Sequence, residues 1–202
     1  YTRSTDNTAL RSLYHLDGNV KDSSYWNYLT SWEWTKGASI TYMESPSPFG
    51  GYLYLDETEH EWNLNLPSGI GSQDFTLQFR LYQKATATPQ ADSYIALGTD
   101  QLLKFDGGNF TFNSTAHLMP VGTWNEFAVI RDSGTLRLYL NGVQVDSYTN
   151  TAAFGRVITF HFGSQQQTTK GIDEVRVLNY ALQTGGASYD AATAPFDTNL
   201  SL

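Results

Sequence analysis

The stretch Phe75-Thr-Leu-Gln-Phe-Arg-Leu-Tyr82 alternates apolar and polar residues without a break. Successive side chains leave an extended strand on opposite sides, so a period of two gives one dry face; a helix would need its apolar residues three and four apart. The same alternation returns in Trp62-Asn-Leu-Asn-Leu66. Thr123-Trp-Asn-Glu-Phe-Ala-Val-Ile-Arg131 and Thr135-Leu-Arg-Leu-Tyr-Leu140 also read as strands, and no segment carries a long helical period. The sequence therefore predicts an all-β chain of about a dozen strands.

Its length of 202 residues suits one such domain, since all-β sandwiches of this size are commonly single units. Charged residues are only 16% of the chain, against roughly 25% in an average soluble protein, so the surface rests on Ser, Thr, Asn and Gln. The net charge of -8 leaves no basic stripe. That excludes nucleic acid, whose phosphates need Lys and Arg, and it disfavours an anionic membrane surface. With no cysteine, a metal would have to be held by oxygen or imidazole. No apolar run reaches the roughly 18 residues that span a bilayer. The first residues, Tyr1-Thr-Arg-Ser-Thr-Asp-Asn, carry no signal-peptide core, so a piece of a longer protein or a processed product is expected.

Residues 1–9 read as a loose leading segment, 10–182 as the domain, and 183–202 as a tail packing on it or leaving it. Leu10 to Leu16 is the first expected strand, followed by the oxygen-rich loop Asp17-Gly-Asn-Val-Lys-Asp-Ser-Ser24. After Ala38 to Met43, the turn Ser45-Pro-Ser-Pro-Phe-Gly-Gly51 leads into Tyr52 to Leu55. Tyr94 to Gly98, Leu102 to Phe105, Phe110 to Asn113 and Val157 to Gly163 are shorter strands. Asn141-Gly142 is a two-residue hairpin signal, Asp132-Ser-Gly134 a three-residue one, and Asp106-Gly-Gly-Asn109 a tight turn. The last strand, Gly171 to Leu182, holds the acid Asp173 just inside its apolar start. A carboxylate there needs a partner.

Several of these stretches carry a family resemblance. Leu13-Tyr-His-Leu-Asp-Gly18 with Asp22-Ser-Ser24, Phe49-Gly-Gly51 before Tyr52-Leu-Tyr-Leu55, Trp124-Asn-Glu-Phe-Ala-Val-Ile-Arg-Asp132 with Leu136-Arg-Leu-Tyr-Leu-Asn-Gly142, and Gly171-Ile-Asp-Glu-Val-Arg-Val177 before Asn179-Tyr-Ala-Leu182 resemble the laminin-G-like, concanavalin A-like lectin/glucanase jelly rolls. The likeness runs over about residues 10 to 196 and implies a two-sheet antiparallel β-sandwich whose first and last strands pair. It also implies that Asp173 faces the segment around Asp17. In calcium-binding members the ion sits among three such positions, which match Asp17, Gly51 and Asp173 here; the ion would be structural. The alternative is an Asp173 carboxylate satisfied by backbone amides. The tail, with Tyr189 and Ala194-Pro-Phe196, resembles those of bacteriophage structural proteins, which points to a phage virion or tail, or to a bacterial surface, and so to an extracellular setting.

For chemistry, Glu57, Glu59 and Glu61 would share one face of a strand at a spacing of about 6.5 to 7 Å, which suits the paired carboxylates of glycosidases. Their alternates are Thr58 and His60 rather than apolar residues, so a solvated acidic loop between strands is the expectation. No Gly-x-Ser-x-Gly is present. His15, His60, His117 and His161 lack ligand spacing and read as structural or exposed. The chain departs from the family at Tyr25-Trp-Asn-Tyr-Leu-Thr-Ser-Trp-Glu-Trp34, where small polar residues are usual. Tyr25, Trp26, Tyr28, Trp32 and Trp34 could stack on sugars or anchor a subunit contact, with burial in the core as the alternative. At least one of Trp26 and Trp32 is expected to be exposed. The expected function is non-catalytic recognition of a glycan, host surface or partner subunit. A glycoside hydrolase, or a purely structural module, is the alternative.

Overall fold

The computed structural model describes residues 10–14, 31–36, 41–43, 52–55, 59–66, 69–83, 93–106, 108–163, 169–186, 188–191 and 196. Every regular element among them is a strand. In chain order they are β1 (Leu10–Tyr14), β2 (Ser31–Lys36), β3 (Thr41–Met43), β4 (Tyr52–Tyr54), β5 (His60–Asn65), β6 (Phe75–Gln83), β7 (Ser93–Leu97), β8 (Asp100–Asp106), β9 (Asn109–Phe112), β10 (Thr115–Leu118), β11 (Trp124–Asp132), β12 (Thr135–Leu140), β13 (Val143–Thr149), β14 (Val157–Phe162) and β15 (Thr169–Leu178). They form two antiparallel sheets. The eight-stranded one runs β13-β12-β11-β6-β15-β4-β3, with β1 also on β15, and the seven-stranded one runs β10-β9-β8-β7-β14-β5-β2. The first and last strands pair, from Leu10 opposite Leu178 to Tyr14 opposite Val175, as the family resemblance implies.

The alternation seen in the sequence sets the core. Phe75, Leu77, Phe79 and Leu81 of β6 turn inward and are buried with Phe127 and Val129 of β11 and Ile158, Phe160 and Phe162 of β14. Phe79 stacks on Phe127 with centroids 5.4 Å apart and meets Phe160 of the other sheet edge-on at 5.8 Å. Each such side chain contributes about 1.5–3 kcal/mol on burial. At the end of β11, the buried Arg131 donates to the carbonyls of Gln73, Ala152 and Gly71 and ties two loops to the sandwich.

Hairpin chemistry follows the sequence with one change. Asn141 and Gly142 sit at φ 51° and 80°, a two-residue turn with both residues in the left-handed region. Asp132 and Thr135 pair directly, so the β11–β12 turn is two residues, Ser133 and Gly134 at φ 51° and 78°, rather than the expected three. Gly142 has a second reason to be glycine: a Cβ there would lie 2.1 Å from the Tyr189 carbonyl.

That approach belongs to the tail, which covers the outer face of the eight-stranded sheet. Thr76 of β6 donates to the Tyr180 carbonyl and accepts from the Leu182 amide, both at 2.8 Å. Tyr189 donates to Glu126 at 2.9 Å, and its amide reaches the Gly142 carbonyl. The Phe196 ring lies 4.6 Å from the Arg80 guanidinium and 4.3 Å from that of Arg176, while its amide donates to Glu174. Beneath these, Gln78 accepts from Arg176, and Arg80 pairs with Glu126 at 3.4 Å. Burial holds the Tyr189 phenol far above its ordinary range, and the neighbouring Glu126 carboxylate adds to this. Burial lowers Arg80, which Glu126 opposes, and likewise lowers Arg176. Both faces of β6 are thus dry for opposite reasons, one apolar and the other charged but hydrogen-bonded within its own layer.

Candidate functional site

The outer face of the seven-stranded sheet has no such cover among the described residues. On β14, Ile158, Phe160 and Phe162 point into the core, which turns Thr159 and His161 outward; on β5, inward Trp62 and Leu64 turn Glu61 and Asn63 outward. Register then brings distant residues into one row. His161 is opposite Glu61 on one side and Tyr94 of β7 on the other, Tyr94 is opposite Lys104 of β8, and Lys104 is opposite Thr111 of β9. At a strand spacing of about 4.8 Å the row runs roughly 20 Å across the sheet.

Its centre is an organised ring pair. The His161 imidazole stacks on Tyr94 with centroids 4.8 Å apart and planes 16° from parallel. His161 Nδ1 lies 2.9 Å from Glu61 Oε2, and Nε2 lies 3.7 Å from Glu59 Oε1. Two carboxylates on one imidazole fix its ring plane and hence the orientation of the stack. In the adjacent row, Thr159 donates its hydroxyl to Asn63 Oδ1 at 2.6 Å. His161 itself is only 7% exposed, so the aromatic surface open to a ligand is that of half-buried Tyr94, held by the His161 stack and flanked by carboxylate, amide and hydroxyl groups. Chemically it can stack on an apolar ring face while exchanging hydrogen bonds with hydroxyls around the rim.

The acidic run is therefore not wholly a loop between strands, because its last member belongs to β5. β5 begins at His60, so Glu61 lies inside a strand and Glu59 immediately before it, whereas the sequence reading placed the run between strands. His60 is buried, which extends the inward-facing alternation two residues earlier than the apolar pattern does. Glu57 lies outside the described residues. His161, read from the sequence as structural or exposed, is a buried strand residue hydrogen-bonded to Glu61, and it lies at the centre of the candidate site. His117 instead bridges to Asp146 at 3.0 Å, linking β10 to β13 across the edges of the two sheets. His15 lies outside the described residues.

Of the aromatic stretch, Tyr25, Trp26 and Tyr28 lie outside the described residues. Trp32 and Trp34 belong to β2, the edge strand beside β5, in register with Leu64 and Trp62. Of the calcium set, Asp17 and Gly51 lie outside the described residues. Asp173 is wholly buried, and its Oδ1 accepts the Glu174 amide at 2.8 Å, a bulge in which Glu174 takes φ 52°. Asp173 is also in register with Arg80. Around it, β1 ends at Tyr14 opposite Val175 and β4 places Leu53 opposite Ile172, so the two strands abut β15 on either side of the acid. Among the described residues no group of three or more His, Asp or Glu could hold a metal ion.

Among solved structures the chain is similar to domain 4 of AbnA, a GH43 extracellular arabinanase from Geobacillus stearothermophilus in complex with arabinotriose, at 20% identity over 87% of this chain and 94% of that one, with TM-score 0.57. It is similar to a Trypanosoma rangeli sialidase mutant displaying trans-sialidase activity, at 9% identity over 87% of this chain and TM-score 0.59, of which it spans only 31%. The Ca2+-bound exoplasmic/lumenal domain of VIP36 is a third, at 11% identity over 88% of this chain and 95% of that one, with TM-score 0.50. At such identities the likeness is one of fold. A search of curated proteins found no match. A laminin G family described as the concanavalin A-like lectin/glucanases superfamily matches residues 24–185. With the two-sheet sandwich and its paired first and last strands, that match makes the chain a member of the concanavalin A-like lectin/glucanases superfamily.

Proposed function

We propose that this domain is a non-catalytic carbohydrate-binding module whose glycan contact is the outer face of the seven-stranded sheet, centred on Tyr94, His161, Glu61, Asn63 and Thr159. The stacked Tyr94–His161 pair carries the reading, because a ring surface ringed by hydrogen-bonding groups matches the two kinds of surface that a sugar presents. The arabinotriose complex of the AbnA domain supports the ligand class. Engagement of Glu59 and Glu61 with one imidazole supports a positioning role for both acids. The test is a glycan array followed by calorimetry on Tyr94→Ala and His161→Ala. Loss of binding in both, with folding intact, supports the reading; wild-type affinity retained by both overturns it.

One observation favours the glycoside hydrolase reading: Glu59 and Glu61 lie together on the open face instead of splaying apart on a loop. That reading requires turnover of a bound glycan and its loss in Glu61→Gln. Binding without turnover removes it.

Calcium is a separable part of the proposal. The abutting ends of β1 and β4 beside Asp173, and the Ca2+-bound VIP36 domain of the same fold, support an ion held with Asp17 and Gly51. A chelator should then lower the Tm of the calcium-loaded protein, and Asp17→Asn should abolish that sensitivity; a Tm of metal-free protein that does not rise on adding calcium overturns it. A setting on a phage virion or bacterial surface, with a host glycan or a subunit as partner, rests on the motif and tail resemblance.

A further inference from the structure

Beyond Lys104, where the seven-stranded sheet meets β13 of the other sheet, lies a cleft of about 510 Å³, bounded by Gln101 and Lys104 of β8, Thr111 of β9, the β9–β10 turn, and Tyr148 and Asn150 at the end of β13. Ligand clefts run from about 300 to 1,000 Å³, so it is large enough for a small saccharide. Its lining is mostly hydroxyl and amide around one ring, with Lys104, Asp100 and Leu102 among them. Tyr148 is propped edge-on against Phe112 at 5.2 Å, and Asn150 donates to its hydroxyl at 3.5 Å.

The turn into this cleft differs from the β11–β12 and β12–β13 turns. Ser133-Gly134 and Asn141-Gly142 place glycine second, where φ is positive. Between β9 and β10 the pair is Asn113-Ser114, at φ 46° and 64°. A side chain in the left-handed region is disfavoured by the clash of its Cβ with the following carbonyl. Serine here keeps that cost and in return lines the cleft, along with Asn113. Strain of this kind is typical of positions held for function.

We infer that the cleft is a second sugar subsite, so that a neutral oligosaccharide lies across the strands from the Tyr94–His161 pair to Ser114 and Tyr148. The inference rests on the binding reading above. Continuity comes from register, since Lys104 is opposite Tyr94 on one side and Thr111 on the other. Neutrality comes from charge: the lining carries Lys104 and Asp100, one of each sign, and the Glu59–Glu61 end of the row would repel a uronate.

The experiment is calorimetry with neutral oligomers of arabinose, mannose, glucose and galactose, from disaccharide to hexasaccharide, and with oligogalacturonides. Wild type should bind hexasaccharide more tightly than disaccharide. Ser114→Gly should keep or raise the Tm, because it relieves the turn, yet weaken hexasaccharide about fivefold, the loss of one or two hydrogen bonds. It should leave the disaccharide unchanged. Asn150→Ala should act likewise, whereas Tyr94→Ala should weaken every length. If Ser114→Gly and Asn150→Ala both bind hexasaccharide as wild type does while Tyr94→Ala does not, the subsite is wrong and the face remains the binding surface. Wild-type affinity that is independent of length overturns the subsite as well. Tighter binding of oligogalacturonides overturns the neutral class, and no binding of any oligomer overturns this inference together with the reading beneath it.

Discussion

The two sheets of this sandwich turn polar residues outward in the same way and meet opposite fates. On the eight-stranded sheet Gln78, Arg80, Glu126 and Arg176 are at most 7% exposed, because the tail lies over them and its Tyr189 and Phe196 complete their contacts. On the seven-stranded sheet Asn63, Thr159 and Tyr94 are half-buried and Lys104 is exposed, and of the polar row only His161, 7% exposed between Tyr94 and Glu61, is as buried as the covered set. Among the described residues the groups whose proton affinity burial clearly shifts, Arg80, Arg131, Tyr139, Arg176, Tyr180 and Tyr189, all belong to the eight-stranded sheet or its tail. Perturbed ionisation is often taken to mark a functional site. Here it marks the sheet that the chain has already occupied itself, and the open sheet is the one left for a ligand.

The largest expected effect is on the covered face. Glu126→Ala leaves Arg80 buried without its carboxylate and should cost about 3–5 kcal/mol in chemical denaturation, with no change in glycan affinity of the folded fraction. A loss below about 1 kcal/mol would mean that the charged layer is wetter than its burial indicates.

At the edge of the open sheet, Trp32 of β2 is in register with Leu64 of β5. At least one of Trp26→Ala and Trp32→Ala should spare folding and cost about 2 kcal/mol or more of binding, as truncation of an aromatic anchor does. Lost stability in both with no selective loss of binding would make them core residues.

Tyr94→Ala sharpens the contrast from the other side. It should cost about 2 kcal/mol of glycan binding, as truncation of a ring anchor does, and much less of stability. Equal losses in both would make Tyr94 a structural residue.

The smallest effect concerns Tyr189→Phe, about 1.5 kcal/mol for a hydrogen bond to a charged acceptor. It has a pH signature. The folded phenol is held protonated well above its usual range, so its contribution is complete below the unfolded pKa of about 10 and declines as pH rises beyond that value. Urea melts at increasingly alkaline pH should show this decline in wild type and a flatter profile in Tyr189→Phe. Identical slopes would place the tyrosine hydroxyl in contact with solvent.

Legibility in the sequence divided along physical lines. β6, β11 and β12 were readable because alternation and left-handed turns are local properties. The sandwich and the pairing of its end strands were readable from motifs at Trp124–Asp132 and Gly171–Val177. β10 escaped because Thr115–Leu118 is largely exposed and has no apolar period. The start of β5 escaped because a buried histidine stands where an apolar residue would have announced it. The site itself could not be read: Glu61 and His161 are a hundred residues apart and become neighbours only because β14 inserts between β5 and β7. Asp173 was visible as an anomaly, and its acceptance of the Glu174 amide meets one of the two alternatives, while the positions that would decide the other lie outside the described residues.

The pairing of β1 with β15 has a mechanical consequence. Because Leu10 is opposite Leu178 in an antiparallel ladder, a load pulling those two points apart would peel the hydrogen bonds one after another, the weakest way to load a sheet. The polypeptide beyond Leu178 does not transmit tension straight to that ladder. A pull from the far end must first lift Phe196 from between two guanidiniums, then free Tyr189 from Glu126, then break the Leu182 amide from Thr76. The covering segment works as the strain relief on a cable: force arriving from that side is spent on anchors spread across β6, β11 and β15 before it reaches the seam where the sandwich would unzip.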